Sequence, residues 1–142
     1  MESEEALCMP KPSDLQSAVD IVVSINKISS YIQGLEYDAF LEDSKTFDAV
    51  IRNIEIIGEA VKNLSQKAKD TCPGLEWEQA AKMRDRLIHG YFGVNTEIVW
   101  DTITKNLPEA LPHITALVSS LKTSEAKQGE IHEGHHQNGP TF

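Results

Sequence analysis

Between Lys82 and Tyr91 the sequence reads KMRDRLIHGY, and Arg84, Asp85, His89 and Tyr91 give this stretch unusual chemical capacity. On a helix, which advances about 100° per residue, Asp85 and His89 are an i,i+4 pair and share a face. A carboxylate beside an imidazole fixes its tautomer and favours its protonated form. Arg84 lies on the adjoining face, and its long, planar guanidinium is a bidentate donor to phosphate. These groups match what cleavage of RNA without a metal ion demands. A base must take the proton of the ribose 2′-OH, and a cation must stabilise the charge that develops on the phosphate. Histidine titrates near neutral pH and arginine keeps its charge, so His89 and Arg84 suit the two tasks. One such histidine per chain supplies a base or an acid but not both. A symmetric dimer that brings two of these helices together would supply the pair, and a twofold interface is the commonest oligomer. The same charges are also what a solvated helix face presents, with a histidine near its C-terminal end. Spacing alone leaves both readings open.

The elements that must position this cluster can be read from apolar periodicity. Residues 1–13 form a flexible lead-in with two prolines, after which Ser13 or Asp14 can cap a helix. Leu15, Val19, Val22, Ile25, Ile28 and Ile32 then recur at helical spacing, and Gly34 stops the run. A short helical turn spans about Tyr37 to Glu42 and carries Phe40 and Leu41. A second long helix is expected from Ser44 or Thr46, continuing through NLSQKAK, with Phe47, Val50, Ile51, Ile54, Ile57, Val61 and Leu64 as its buried stripe. Pro73-Gly74 breaks the chain, and Trp77 opens the helix that carries Arg84, with Gly90 and Gly93 weakening its end. Asn95 or Thr96 caps a fourth helix, whose apolar set is Ile98, Val99, Trp100, Ile103 and Leu107. Pro108 and Pro112 interrupt or restart it, and Ile114, Leu117, Val118 and Leu121 complete a last helix. No strand-like alternation or internal repeat occurs. The expected fold is all-α: a bundle of four to five helices over residues 14–122, followed by a polar, disordered tail over 123–142.

Bulk properties narrow the function classes. A chain of 142 residues, 40% hydrophobic, makes one domain with a real core. Its formal net charge of -9 gives no long-range attraction to nucleic acid, so contact with RNA needs a local basic patch or the brief encounter of an enzyme. Cys8 and Cys72 have no metal-like spacing and do not make a disulfide framework. The acidic N-terminus lacks a secretory pattern, and no apolar stretch approaches a membrane span, so a cytoplasmic protein is expected. His132, His135 and His136 in the tail have the composition of a metal site but no ordered carboxylate or cysteine beside them, so no metal is expected. His113 reads as an ordinary residue near a helix start, and Trp77 and Trp100 as core aromatics. There is no phosphate-binding glycine loop and no Ser-His-Asp arrangement.

RDRLIHGY fits the signature Arg, four residues, His, any residue, Tyr, and this stretch resembles HepT-like proteins of the HEPN superfamily. RNIEIIGEA (Arg52 to Ala60), the spacing from Trp77 to Arg84, and HGYFGVNTEIVW (His89 to Trp100) followed by Leu107-Pro108 extend the likeness over about Asp14 to Leu121. The resemblance implies a HEPN-like helical bundle that forms a homodimer, whose composite site cleaves RNA, with tRNA or mRNA as the target. By position, Arg84 and His89 would be the catalytic pair, and Asp85 the polar residue that commonly follows the motif arginine. The implied partner is a small MntA-like nucleotidyltransferase antitoxin of a type VII toxin-antitoxin system. That antitoxin would use ATP to transfer AMP to Tyr91, so no cofactor is expected on this chain itself. Adenylylation would add bulk and negative charge where a substrate phosphate must dock.

Two readings stay open beside this one. Arg52, Asn53, Glu55 and Glu59 can line a dimer cleft, with Arg52 holding RNA, or be the polar flank of the core stripe, with Gly58 allowing close helix packing. The whole domain can also be a non-catalytic helical module that only binds a nucleotidyltransferase, because fold alone does not settle function.

Overall fold

In the computed structural model the backbone is described for residues 11–89 and 95–137, and side chains for 11–85 and 95–128. Helix α1 (Asp14–Ile32) begins where the Ser13 hydroxyl accepts from Gln16 N at 3.0 Å. Its buried face is Ser17, Ala18, Ile21, Ser24, Ile25 and Ile28, so the expected stripe is corrected: Leu15, Val19 and Val22 are only half-buried. The reason lies in packing. α1 is wedged against two long helices, and the small residues Ser17, Ala18 and Ser24 let it approach both. Gly34 adopts φ 79°, the left-handed conformation that turns the chain after α1.

Helix α2 (Tyr37–Glu42) is a single short piece that plants Phe40, fully buried, between Phe47 and Trp100 at ring separations of 5.3 and 5.2 Å. Leu41 stays exposed. Helix α3 (Ser44–Asn63) buries Val50, Ile51, Ile54, Ile57 and Val61 as the periodicity requires, with Leu64 just beyond its end. Its cap is Asp43 rather than Ser44 or Thr46. The Asp43 carboxylate accepts from both Thr46 N (3.1 Å) and Thr46 Oγ1 (2.7 Å), so one side chain answers two donors.

α3 does not run on through NLSQKAK. The chain turns at Leu64-Ser65, and α4 (Gln66–Asp70) starts afresh with the Ser65 hydroxyl accepting from Ala68 N. Asp14 makes this break: its carboxylate accepts from Ser65 N at 2.8 Å and from Ser65 Oγ at 2.6 Å, tying the start of α1 to the start of α4. Helix α5 (Trp77–His89) comes after Pro73-Gly74, and its first residue is fastened by Trp77 Nε1 donating to the Lys69 carbonyl at 3.2 Å.

Helix α6 (Thr96–Asp101) is capped by Asn95, whose side-chain oxygen accepts from Glu97 N and Ile98 N. Tyr37 Oη and Thr96 Oγ1, 2.7 Å apart, join α2 to it. The prolines do not break the helical path beyond α6. A widened, π-helical stretch (Thr102–Asn106) leads straight into α7 (Leu107–Gln137), where Pro108 occupies the second position and Pro112 lies inside the helix. The looser π turns precede Pro108, whose missing N–H and ring are hardest to fit in a tight α-helix. α7 also continues past Lys122 to Gln137, and its residues 122–128 are exposed and lie outside the core.

The result is an all-α bundle. α3 packs between α1 and α5, and α1 between α3 and α7. The core joins Ile21 and Ile25 of α1, Phe40 of α2, Ile54 of α3, Val99 of α6, Ile103 of the π-helical stretch, and Ile114 and Leu117 of α7. Among the described residues no strand occurs, and no helix is long and apolar enough to cross a membrane.

Candidate functional site

The chemistry-bearing run sits on the last two turns of α5. That helix spans Trp77–His89, so the backbone keeps Asp85 and His89 at i,i+4 spacing. The His89 and Arg86 side chains lie outside the described residues, as do Tyr91, Gly90 and Gly93 in full. Lys82 is exposed.

α5 is held chiefly by α3, and Gly58 sets the distance. A Cβ placed at Gly58 would fall far inside contact distance of Arg84 Cβ, and 2.5 Å from Arg84 Cγ. The root of the Arg84 side chain therefore lies against bare α3 backbone, which is the close packing that the glycine makes possible. The head of the side chain is also engaged. Arg84 Nη2 is 2.8 Å from Glu59 Oε2, and Arg84 Nη1 is 3.2 Å from Asp85 Oδ1. That same Asp85 oxygen is 2.7 Å from Lys62 Nζ. Arg84 Nε is buried without a hydrogen-bond partner among the described residues.

Four alternating charges thus form one chain: Glu59, Arg84, Asp85 and Lys62. Hydrogen bonds from Lys62 and then from Arg84 hold the Asp85 carboxyl below its ordinary value, because both cations favour its charged form. Arg84 is only 24% exposed at its side chain, against 55% for Glu59, so the cation is the sheltered member and its counter-ions sit at the rim.

Beside it opens a cleft of about 450 Å³ lined by Asp20, Arg52, Glu55, Glu59, Asn63 and Arg84, among others. Arg52 is 70% exposed and lies 3.5 Å from Glu55 one turn on. Of the four polar α3 residues whose role the sequence left open, Arg52, Glu55 and Glu59 line this cleft of the single chain. Asn53 does not: it is buried, donating to the Ala49 carbonyl at 2.9 Å. A second cavity of about 570 Å³, bounded by Trp77, Met83, Ile98, Leu107 and His113, is lined by neither Arg84 nor Asp85. Among the described residues no cluster of His, Cys, Asp or Glu is arranged to hold a metal ion. Cys72 is a free thiol near the His113 carbonyl, and Cys8 lies outside the described residues.

The sequence singled out Arg84 and Asp85 by type and spacing but not their ion-pair partners Glu59 and Lys62. Their spacing of three residues on the preceding long helix, with signs opposite to Arg84-Asp85, is the one signal that points to them. Asp85 pairs with Lys62 and Arg84, and its expected pairing with the His89 side chain lies outside the described residues.

A family model described as "Ribonuclease HepT-like" matches residues 21–117, which takes in most of α1 through the first part of α7 and the whole charged chain. A candidate RNase of Methanocaldococcus jannaschii is 38% identical over 114 residues, covering 80% of this chain and 94% of its own length. A candidate HepT ribonuclease of Thermococcus cleftensis is 43% identical over 89 residues, covering 63% of this chain and 81% of its own. A candidate RNase of Caldanaerobacter subterraneus is 40% identical over 91 residues, covering 64% and 81%. No solved structure matches the chain. The chain belongs to the ribonuclease HepT-like family.

Proposed function

We propose that this protein is a ribonuclease that cuts RNA without a metal ion, with Arg84 and His89 as its catalytic pair and Asp85 as their polar companion. The observation that carries the reading is Arg84: a sheltered, permanently charged group at the edge of an open cleft, five residues before a histidine on the same helix, in a ribonuclease-family chain. His89 takes the 2′-OH proton, and the 2′ oxygen attacks the adjacent phosphorus. Arg84 stabilises the charge that builds on the phosphate oxygens. The leaving 5′ oxygen needs a proton, which the His89 of a second copy supplies in a composite site formed by a homodimer.

The same reading makes the protein the toxin of a type VII toxin-antitoxin pair. An MntA-like nucleotidyltransferase partner transfers AMP from ATP to Tyr91. With the phosphate of AMP two residues from His89, a substrate phosphate meets both bulk and like charge, and cleavage stops.

The test is cleavage of total tRNA in EDTA by the parent, His89→Ala and Arg84→Ala, each checked for fold by circular dichroism. Cleavage by the parent alone supports the enzyme. No cleavage by folded parent whose Tyr91 is unmodified points to a helical module that only binds its nucleotidyltransferase.

A further inference from the structure

We propose that Glu59 and Lys62, one turn apart on α3, are positioning residues for Arg84, an inference that rests on Arg84 being the phosphate-stabilising cation. An arginine side chain has many rotamers, and a catalytic cation is useful only when its donors are already aimed. Asp85 alone cannot aim it, because adjacent residues on a helix point about 100° apart. Both side chains must lean towards α3 for Nη1 and Oδ1 to come within 3.2 Å. Lys62 draws the Asp85 carboxylate from one side at 2.7 Å, and Glu59 draws the guanidinium from the other at 2.8 Å.

Gly58 completes the arrangement by seating the base of the Arg84 side chain on α3. The guanidinium is then fixed at its root and at both Nη atoms. Nη1 donates to the Asp85 carboxylate, and Nη2 is ion-paired with the Glu59 carboxylate. A guanidinium has more N–H donors than these contacts use, and those that remain can meet a phosphate in the cleft that Arg84 lines. The four charges sum to zero with Arg84 included, because Lys62 offsets one of the two carboxylates, so the cluster as a whole sets no net negative charge against an incoming phosphate.

The experiment compares kcat and KM for RNA cleavage by the parent, Glu59→Ala, Glu59→Gln and Lys62→Met, with Arg84→Ala as the inactive reference. In parallel, NMR of ¹⁵N-arginine-labelled protein without RNA follows rotation about the Arg84 guanidinium bonds. Glu59 and Lys62 side chains are 55% and 39% exposed, so these variants leave the core intact. We expect Glu59→Ala to lose on the order of tenfold or more in kcat with KM changed by less than about threefold, since misaiming a reacting group acts on the transition state. Glu59→Gln, which keeps an acceptor oxygen, loses less, and Lys62→Met loses activity in the same sense. Arg84 rotation quickens in all three. Parental kcat in both Glu59→Ala and Lys62→Met, with Arg84→Ala inactive, overturns the proposal. So does a higher kcat/KM, which would make Glu59 a competitor of phosphate. If the parent cuts no RNA, the ribonuclease reading fails separately and the NMR decides: unchanged rotation in Glu59→Ala overturns the positioning role, and quickened rotation supports it.

Discussion

Gly58→Ala is expected to cost activity far more than stability. Two opposing terms act on stability. Alanine in place of glycine inside a helix gains roughly 1 kcal/mol of helix propensity. Against it stands the added methyl, which meets Arg84 Cβ and sits 2.5 Å from Arg84 Cγ, where carbon atoms normally rest about 3.5–4.0 Å apart. The obstruction is the root of a side chain, fixed to the α5 backbone, so rotamer changes cannot relieve it. The helices must separate locally by about 1 Å or more, and overpacking of this kind costs about 1–3 kcal/mol. The net loss is about 0–2 kcal/mol, a fall in Tm of at most roughly 9 °C for a domain of this size.

Activity has no such offset. A displacement of about 1 Å at a reacting group costs on the order of a hundredfold. The expected signature is therefore a folded protein, slightly less stable, whose RNA cleavage falls about a hundredfold, measured by thermal denaturation and steady-state kinetics on one preparation. A Gly58→Ala protein with a raised Tm and parental cleavage refutes the reasoning, because the propensity gain would then stand unopposed and α3 and α5 could not be in the described contact.

Other substitutions probe the bundle itself. Phe40→Ala removes a fully buried ring packed on Phe47 and Trp100 and should cost about 3–5 kcal/mol in chemical denaturation; a loss under about 1 kcal/mol would contradict that packing. Asp14→Ala leaves Ser65 N and Oγ without their acceptor and should cost about 1–3 kcal/mol, with faster amide exchange at the start of α4. Lowered in the folded state by Lys62 and Arg84, the Asp85 carboxyl contributes stability above its unfolded value, near 4, and loses it as pH falls through the folded one. Carboxyl NMR should accordingly place the Asp85 midpoint below about 4, and Lys62→Met should move it upward; a midpoint at the ordinary value would contradict the contact.

How far the sequence carried depended on the range of each determinant. The α3 stripe from Val50 to Val61 was legible because one face meets the core and the period of about 3.6 records it. Ser13 and Asn95 were legible as caps because the donors they satisfy lie two or three residues away. The face of α1 was misread because it serves two neighbours, which widens the buried arc until small residues such as Ser17 and Ser24 belong to it. The break at Ser65 was invisible because its cause, Asp14, is 51 residues distant and no proline or glycine marks it. The site divides the same way. Arg84 and Asp85 stand out by type and local spacing, whereas Lys62 reaches Asp85 across 23 residues through the register of two helices, which no local pattern records.

That register also bears on how an acidic chain handles RNA. The net charge of -9 offers no general attraction, and the cleft does not reverse it: Arg52 and Arg84 face Asp20, Glu55 and Glu59. With few phosphates neutralised, binding should depend weakly on salt, because the slope of log K against log salt for a single strand is only about 0.7 per phosphate contacted. A protein built this way gains little from holding RNA tightly in its ground state. On the proposed reading it has instead Arg84, sheltered and aimed before the substrate arrives, where charge grows on the phosphate as the bond breaks. Interactions that strengthen only in the transition state raise kcat, and ground-state grip beyond that does not. On the proposed reading, the acidic surface and the oriented Arg84 are therefore compatible: the first keeps RNA encounters brief, and the second makes a brief encounter sufficient.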